Sequence, residues 1–242
     1  CLPIASSITA YGRRDLMRSK EWVETNFGNT FMKGCGRAEV VYGDTDSVMV
    51  KFHGSKTVEQ AIQFAKECER RINSSSYQED AGIYGLFDGK IMFLEYEKVF
   101  FPFYLLAKKK YVGCKYEEDP NQFKMNYSGV ECARRDNANL CGKNMTKFFE
   151  ILLIQKNKEL AINFVKNIVS DLLQHKYKFE DMVISKKLAK LNYKNPPVQL
   201  NVVEFMKKNN ADDIPVVGER VPFVIIVNGK TKVSQKGVHP AY

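Results

Sequence analysis

Histidine is scarce in this chain: 242 residues hold three, His53, His175 and His239, and none stands at ligand spacing to another. A histidine-built metal centre is therefore not expected, and no role falls to these residues. Six cysteines, at 1, 35, 68, 114, 132 and 141, include no C-x-x-C pair. That argues against zinc and for free thiols in a reducing compartment. No apolar run approaches the roughly 18 residues of a membrane span, so no membrane is expected among the partners. No signal peptide is visible. Internal repeats and low-complexity segments are missing too. Acidic residues are in deficit, 28 against 37 basic, for a net charge of +9. The balance favours a polyanionic partner. Lysines scattered over a soluble surface would give the same figure. An apolar fraction of 44% supports a core, and the length fits one large domain or two smaller ones.

What the chain does have is concentrated in Val40-Val41-Tyr42-Gly43-Asp44-Thr45-Asp46-Ser47-Val48-Met49-Val50. Two carboxylates lie two positions apart in a short turn between β-branched runs, which read as the strands of a hairpin. Carboxylates that close repel unless a cation or protons sit with them. A rigid hairpin with two acids at its tip is a seat for Mg²⁺, which takes a few carboxylates plus phosphate and water oxygens. The chemistry this suits is phosphoryl transfer on two metals about 3.5–4 Å apart. Asp and Gly are also ordinary turn residues, and a bare Asp-x-Asp pair in a turn is usually solvated surface.

Along the chain, residues 3–27 read as a helix, broken by Gly28, Gly34 and Gly36. The hairpin spans roughly 37–52. Thr57-Val58-Glu59-Gln60 is a capping-box pattern. Val58, Ala61, Ile62, Ala65, Cys68 and Ile72 then fall at helical spacing, on a helix expected to cover the hairpin's sheet. Residues 91–107 and 110–116 are strand-like. The aromatic cluster at 100–104 is expected in the core, with Pro102 marking an edge or bulge. From about 141 the composition turns helical. In 158–175 the stripe Ala161, Phe164, Val165, Ile168, Val169 and Leu172 is expected to be core. A further helix is expected near 199–209. Asn228-Gly229-Lys230 between Val221–Val227 and Thr231–Val233 predicts a hairpin.

Tyr42-Gly43-Asp44-Thr45-Asp46-Ser47 resembles the Tyr-Gly-Asp-Thr-Asp-Ser signature of family B (α-like) DNA polymerases, their third conserved polymerase motif. Further likenesses follow in the family's order. Ile8-Thr9-Ala10-Tyr11-Gly12-Arg13 resembles the helix before the catalytic hairpin. Leu94-Glu95-Tyr96-Glu97-Lys98-Val99 resembles a Leu-Glu-x-Glu-Lys-Val strand, and Lys108-Lys109-Lys110-Tyr111-Val112-Gly113 the Lys-Lys-Arg/Lys-Tyr-x-Gly motif. Gly129-Val130-Glu131 with Arg134-Arg135-Asp136-Asn137 resembles a Gly-x-Glu…Arg-Arg-Asp-Asn segment. Ile184-Ser185-Lys186-Lys187-Leu188 and Gly218-Glu219-Arg220-Val221-Pro222-Phe223-Val224-Ile225 resemble thumb-region blocks. The family's first motif, with a further metal-binding Asp, and its second, with a nucleotide-gripping Lys, do not occur. Nor do the exonuclease acids. The chain is thus expected to be a C-terminal portion, inactive by itself.

The resemblance implies an α+β fold: an antiparallel palm sheet with covering helices over 1–140, which carries the catalytic hairpin, then a mainly helical, incomplete thumb over 141–242. The implied reaction is attack of a primer 3′-hydroxyl on the α-phosphate of a deoxynucleoside triphosphate, with two Mg²⁺ ions held by Asp44 and Asp46. Gly43, Thr45 and Ser47 would shape the turn. Tyr42, Lys109, Lys110, Tyr111, Lys186 and Lys187 would contact primer–template DNA. Arg134 and Arg135 suit an ion pair with Asp136 and a grip on phosphate equally. Glu95 and Glu97 are expected to pair with neighbouring basic residues. A processivity factor is a further candidate partner. Divergence at ordinary positions points to a large double-stranded DNA virus, and so to a host nucleus or a cytoplasmic viral factory. Two other readings stand beside this one: a non-catalytic DNA-binding module from an inactivated polymerase-like protein, and an unrelated two-metal nuclease.

Overall fold

The computed structural model describes residues 2–27, 36–74, 76–78, 83–88, 92–227, 229 and 232–241. They form a mixed helix and antiparallel-sheet protein of the α+β kind. It divides into two units, Cys1–Phe103 with Gly113–Asn126, and Tyr104–Val112 with Tyr127–Tyr242. No described helix is long and apolar enough to cross a membrane.

In the first unit, α1 (Leu2–Phe27) buries Asp15, Ser19, Val23 and Phe27. These share one face because they recur every four residues. The buried Asp15 carboxylate accepts from Arg14 and Arg18 at 3.2 and 3.4 Å, and Ser19 Oγ donates to the Asp15 carbonyl at 2.8 Å. Its polar atoms are thus satisfied, as burial requires. β1 (Ala38–Asp44) and β2 (Ser47–Phe52) form the expected hairpin, with an irregularity between Val40 and Tyr42 that the sequence pattern did not reveal. Such a bulge inserts a residue and increases the local twist.

α2 (Val58–Ile72) opens at Thr57, whose Oγ1 accepts from Gln60 N at 3.3 Å. The reciprocal arm of the capping box differs from the usual form: Gln60 Oε1 accepts from Lys56 N, one residue earlier, at 3.0 Å. Phe64, rather than Ala65, joins Val58, Ala61, Ile62, Cys68 and Ile72 among the buried residues. Phe64 tilts against Phe52 of β2 with ring centroids 5.9 Å apart, so the helix covers the hairpin as expected. Fully burying side chains such as Phe27 and Ile72 contributes about 1.5–3 kcal/mol each. β3 (Tyr77–Gln78) and β4 (Ile83–Tyr84) add a short antiparallel pair, and Tyr84 O accepts from Trp22 Nε1 at 2.9 Å.

On α2, Arg70 and Arg71 both donate to Glu67, at 2.7 and 2.5 Å. With Arg70 as the larger cause, these bonds hold the Glu67 carboxyl down to about 2. A depressed folded-state value contributes stability that is complete above the unfolded value of about 4.5 and lost as pH falls towards about 2. Glu67→Gln is therefore expected to lower the melting temperature at neutral pH, at a cost of about 1–3 kcal/mol, with the difference closing near pH 2. Thermal melts of both forms across that range check it. A pH-independent difference would assign the loss to packing.

β5 (Val99–Ala107), β6 (Lys110–Tyr116) and β7 (Lys124–Ser128) form a three-stranded sheet in that order. The strand expected from 91 begins only at Val99; residues 93–98 have no regular structure. Pro102 lies on an edge strand, the place in a sheet where a residue without a backbone N–H is tolerated. The aromatic cluster is not a buried core: Phe100, Phe101 and Phe103 are half-buried and Tyr104 is 46% exposed. Phe100 and Phe103 instead pack over Gly113, where an added Cβ would lie 2.9 Å from Phe100 Cδ1.

In the second unit, α3 (Asn139–Phe149) passes into a π-turn over Glu150–Ile154, and α4 (Lys158–Leu173) starts at Asn157, whose Oδ1 accepts from Leu160 N at 2.9 Å. The α4 stripe is not core. Ala161 is buried, Phe164 and Ile168 are half-buried, and Val165, Val169 and Leu172 are exposed. Helical spacing specifies a face but not whether anything covers it. The core of this unit lies elsewhere. α5 (Val198–Lys208) packs Leu200, Val202, Val203 and Met206 against Leu188 and against Val221 and Phe223 of β9 (Arg220–Ile225). β9 stands between β8 (Ile184–Lys187) and β10 (Gly237–Val238), antiparallel to both. The hairpin partner expected at 231–233 is replaced by 237–238, with Val233 opening a 3₁₀ turn. Asn228, Lys230 and Thr231 lie outside the described residues.

The described cysteines are thiols outside any disulfide: Cys68 and Cys114 are buried, Cys132 is half-buried and Cys141 is exposed. Burial pushes the Cys68 thiol up to about 12, which makes it unreactive. Cys1 and Cys35 lie outside the described residues.

Candidate functional site

The acidic hairpin closes on the Asp44–Ser47 pair, with Thr45 and Asp46 as the turn. Asp46 N donates to Asp44 O at 2.7 Å, an i to i+2 bond of the γ-turn kind, and Thr45 sits at φ 58°. A β-branched residue at positive φ is strained, and the γ form with positive φ is the rare one. Ser47 Oγ donates to Asp44 O at 3.2 Å and Thr45 Oγ1 to Asp44 Oδ1 at 3.4 Å. Both hydroxyls therefore brace the turn, as their residue types allow. Asp44 is half-buried. Asp46 is exposed, and its carboxylate has no hydrogen-bond or ion-pair partner among the described residues. The tip thus holds one acid braced from within and one aimed at solvent.

Helix α1 supports this turn from the same unit. Leu16 Cδ2 would lie 3.0 Å from a Cβ on Gly43, and Thr45 O would lie 3.9 Å from one on Gly12. Gly43 is small because the helix comes close; no positive φ requires it there. The Ile8–Arg13 segment therefore runs beside the hairpin's strands and turn. Tyr42 is half-buried opposite Met49. No group of three or more His, Cys, Asp or Glu able to hold a metal occurs among the described residues. Asp44 and Asp46 still fit Mg²⁺ by donor chemistry, since that ion is commonly held by one or two carboxylates with water and phosphate completing its shell.

In the second unit, Lys108 and Lys109 form the two-residue turn between β5 and β6, with Lys109 at φ 62°. Gly129, also at φ 62°, lies under it: a Cβ there would stand 1.9 Å from Lys109 O. Lys110 Nζ pairs with Glu131 Oε1. That bond, then the Glu131 backbone N–H, hold the Glu131 carboxyl below the usual range. The Gly-x-Glu segment and the lysine motif, separate in the sequence, are thus one structure. Lys109 and Lys108 are exposed, and Lys110 and Tyr111 half-buried.

A second basic group in this unit lines an open cleft of about 450 Å³. Its walls are Arg134, Arg135, Asp136, Lys186, Lys187, Gln199 and Arg220. Arg134 grips Asp136 with two bonds, at 3.0 and 3.3 Å. Chiefly through Arg134, the Asp136 carboxyl is held below the usual range. The ion pair expected of the Arg-Arg-Asp run thus belongs to Arg134, and Arg135 stays out of it. Lys186 and Lys187 lie exposed on β8. Sequence reasoning missed Gln199 and Arg220, because only the pairing of β8 with β9 and the packing of α5 bring them to this cleft.

Of the two acids expected to pair with neighbouring bases, Glu97 pairs with Lys98, and Glu95 makes no ion pair among the described residues; neither lies in a strand.

Comparison with known proteins adds independent findings. The sequence profile of DNA polymerase family B matches residues 1–242. The DNA polymerase delta catalytic subunit of Oryza sativa subsp. japonica is 37% identical over 247 residues, covering 100% of this chain and 21% of the relative. That of Drosophila melanogaster is 35% identical over 244 residues, covering 100% and 21%. That of Schizosaccharomyces pombe is 37% identical over 227 residues, covering 93% and 20%. The chain thus spans about a fifth of the length of these curated relatives.

Proposed function

We propose, because this chain belongs to DNA polymerase family B, that it carries the acidic hairpin and part of the duplex-binding surface of a DNA-directed DNA polymerase. The activity is template-directed addition of deoxynucleotides to a primer end in DNA replication. In the family's terms 1–140 would belong to the palm and 141–242 to the thumb. The observation that carries the reading is the Asp44–Ser47 turn. Its backbone is held at a strained Thr45 by three hydrogen bonds, and the Asp46 carboxylate is left exposed and unbonded among the described residues. Strained backbone kept in place by its surroundings is concentrated at functional sites.

Asp46 and Asp44 would hold the two Mg²⁺ ions, which when bound supply activation of the primer hydroxyl and stabilisation of the leaving pyrophosphate. Ser47 and Thr45 hold the acids' backbone in place. Lys109, Lys110 and Tyr111 would face the duplex. Minor-groove acceptors lie at similar positions in A·T and G·C pairs, so such contacts tolerate sequence. Lys110→Ala is expected to weaken primer–template binding by a similar factor for every sequence. Titration of duplexes that differ only in base content checks this, and a sequence-selective loss would contradict it.

A further Asp from the family's first motif belongs to the catalytic set and does not occur in these residues. The 242 residues alone are therefore expected not to extend a primer. The relatives from Oryza sativa, Drosophila melanogaster and Schizosaccharomyces pombe bear the name DNA polymerase delta catalytic subunit. A viral source, a processivity partner and a nuclear or viral-factory site are proposals that rest on the family resemblance. The test is primer extension in Mg²⁺ by the full-length protein against Asp46→Asn. Extension lost in the variant supports the reading, and no extension by the wild type over a range of salt points to a non-catalytic DNA-binding module.

A further inference from the structure

Arg220 donates from Nη2 to the Arg135 carbonyl at 2.8 Å and to the Ser185 carbonyl, and from Nε to Ser185 Oγ at 3.2 Å. On β9 it stands directly opposite Lys187. One guanidinium thus ties the backbone of the 134–136 loop, 85 residues away in sequence, to the edge of β8. Its partners are neutral, so it keeps its charge while it bridges them. Arg134 and Asp136 neutralise each other. Arg135, Lys186 and Lys187 have no side-chain hydrogen bond or ion pair among the described residues. The cleft thus sets five cationic groups against one carboxylate, Asp136, whose charge acts on Lys186 as well as on Arg134. Like charges so placed repel, and the loop that carries Arg135 would drift from β8 if only electrostatics acted. The planar fork of Arg220 opposes that drift, which a lysine's single ammonium cannot do in the same way.

We infer that Arg220 is a positioning residue: it pins Arg135 beside Lys186 and Lys187 and so builds a site for the phosphodiester backbone of duplex DNA. The inference rests on the polymerase reading and deepens it. Phosphodiesters suit the cleft because it is open, cationic and lined by long side chains. It presents no array of fixed donors that would read base edges. Affinity there is sequence-independent and falls with salt, by a slope of about 0.9 per neutralised phosphate.

The test is fluorescence anisotropy of a labelled primer–template with the full-length protein, across a salt series from about 50 to 200 mM. Arg135→Gln and Lys186→Gln are each expected to weaken binding about three- to tenfold and to lower the salt slope by about one. Arg220→Lys retains the charge and loses the fork. It is expected to cost as much as Arg135→Gln, and to cost nothing more when made on top of Arg135→Gln. A merely structural role would lower the melting temperature and multiply the two losses. Wild-type affinity in Arg220→Lys would mean that charge alone suffices, and either result overturns the assignment. Should Arg220→Lys not fold, Ser185→Ala removes an acceptor of the fork and no charge; unchanged affinity there overturns it as well. Wild-type protein that binds duplex without salt dependence, or not at all, removes the polymerase reading and the cleft together. Normal wild-type binding untouched by Arg135→Gln and Lys186→Gln removes the cleft alone.

Discussion

Asp46→Ala in the full-length protein is expected to abolish primer extension, a loss of at least about 10³-fold or 4 kcal/mol of transition-state stabilisation. Duplex affinity should change by less than about twofold, because the proposed role of the residue is to hold metal, and a carboxylate adds no attraction for phosphate. The expectation follows from the turn. Asp46 contributes its N–H to the bond with Asp44 O, and alanine keeps that N–H, so the backbone should survive. The carboxylate itself braces nothing among the described residues, so its removal should leave the melting temperature close to that of the wild type. Asp44 differs. Its carboxylate accepts from Thr45 Oγ1, so Asp44→Ala should also loosen the turn and show a stability change beside the loss of activity. Single-turnover extension, duplex titration and thermal melts on the same preparations separate these effects. A variant at Asp46 that kept extension and lost binding would assign the residue to DNA contact rather than metal.

Gly129→Ala should be the most damaging change of a single methyl group in the second unit. The added Cβ would stand 1.9 Å from Lys109 O, a distance real Cβ atoms essentially never show, and a tight 3.1 Å from Lys109 C. Both are backbone atoms, so no side chain can rotate out of the way. The residue's φ of 62° adds the penalty that any L side chain incurs there, about 1–2 kcal/mol. Together these should cost about 3 kcal/mol or more. The lysine turn should also move, taking Lys109 and Lys110 with it and weakening duplex binding. Gly218→Ala is the control: φ is 102°, but nothing lies within 4 Å of its Cβ, so only the dihedral is penalised. Denaturant midpoints of the two variants give the comparison. Equal losses would show that the close approach to Lys109 is relieved at no cost.

Much of the local structure was legible in the chain's own pattern. The span of α1, the acidic hairpin, the cap at Thr57 and the buried face of α2 all follow from spacing and turn chemistry among near neighbours. Two of the errors had a common origin. The α4 stripe and the 100–104 aromatics have the apolar character of core residues, yet the fold leaves them partly open. Periodicity reports which residues share a face, and burial depends on what lies opposite it. The second hairpin strand was placed at 231–233 by a turn signal, where β9 pairs instead with 237–238.

For the site, sequence alone singled out the residues proposed to carry the chemistry: Asp44 and Asp46 at one tip, and the lysine and arginine motifs. Their character is written in residue types a few positions apart, and the collinear motifs gave the family. The tertiary structure alone decided how these residues are held and which of them are already committed. It pairs Lys110 with Glu131, sets Gly129 under Lys109, gives Asp136 to Arg134 and leaves Arg135 to the cleft that Arg220 ties together. The reason is physical. A hydrogen bond between residues 85 apart forms only after strands have paired and loops have closed, and no local period in the chain encodes that meeting.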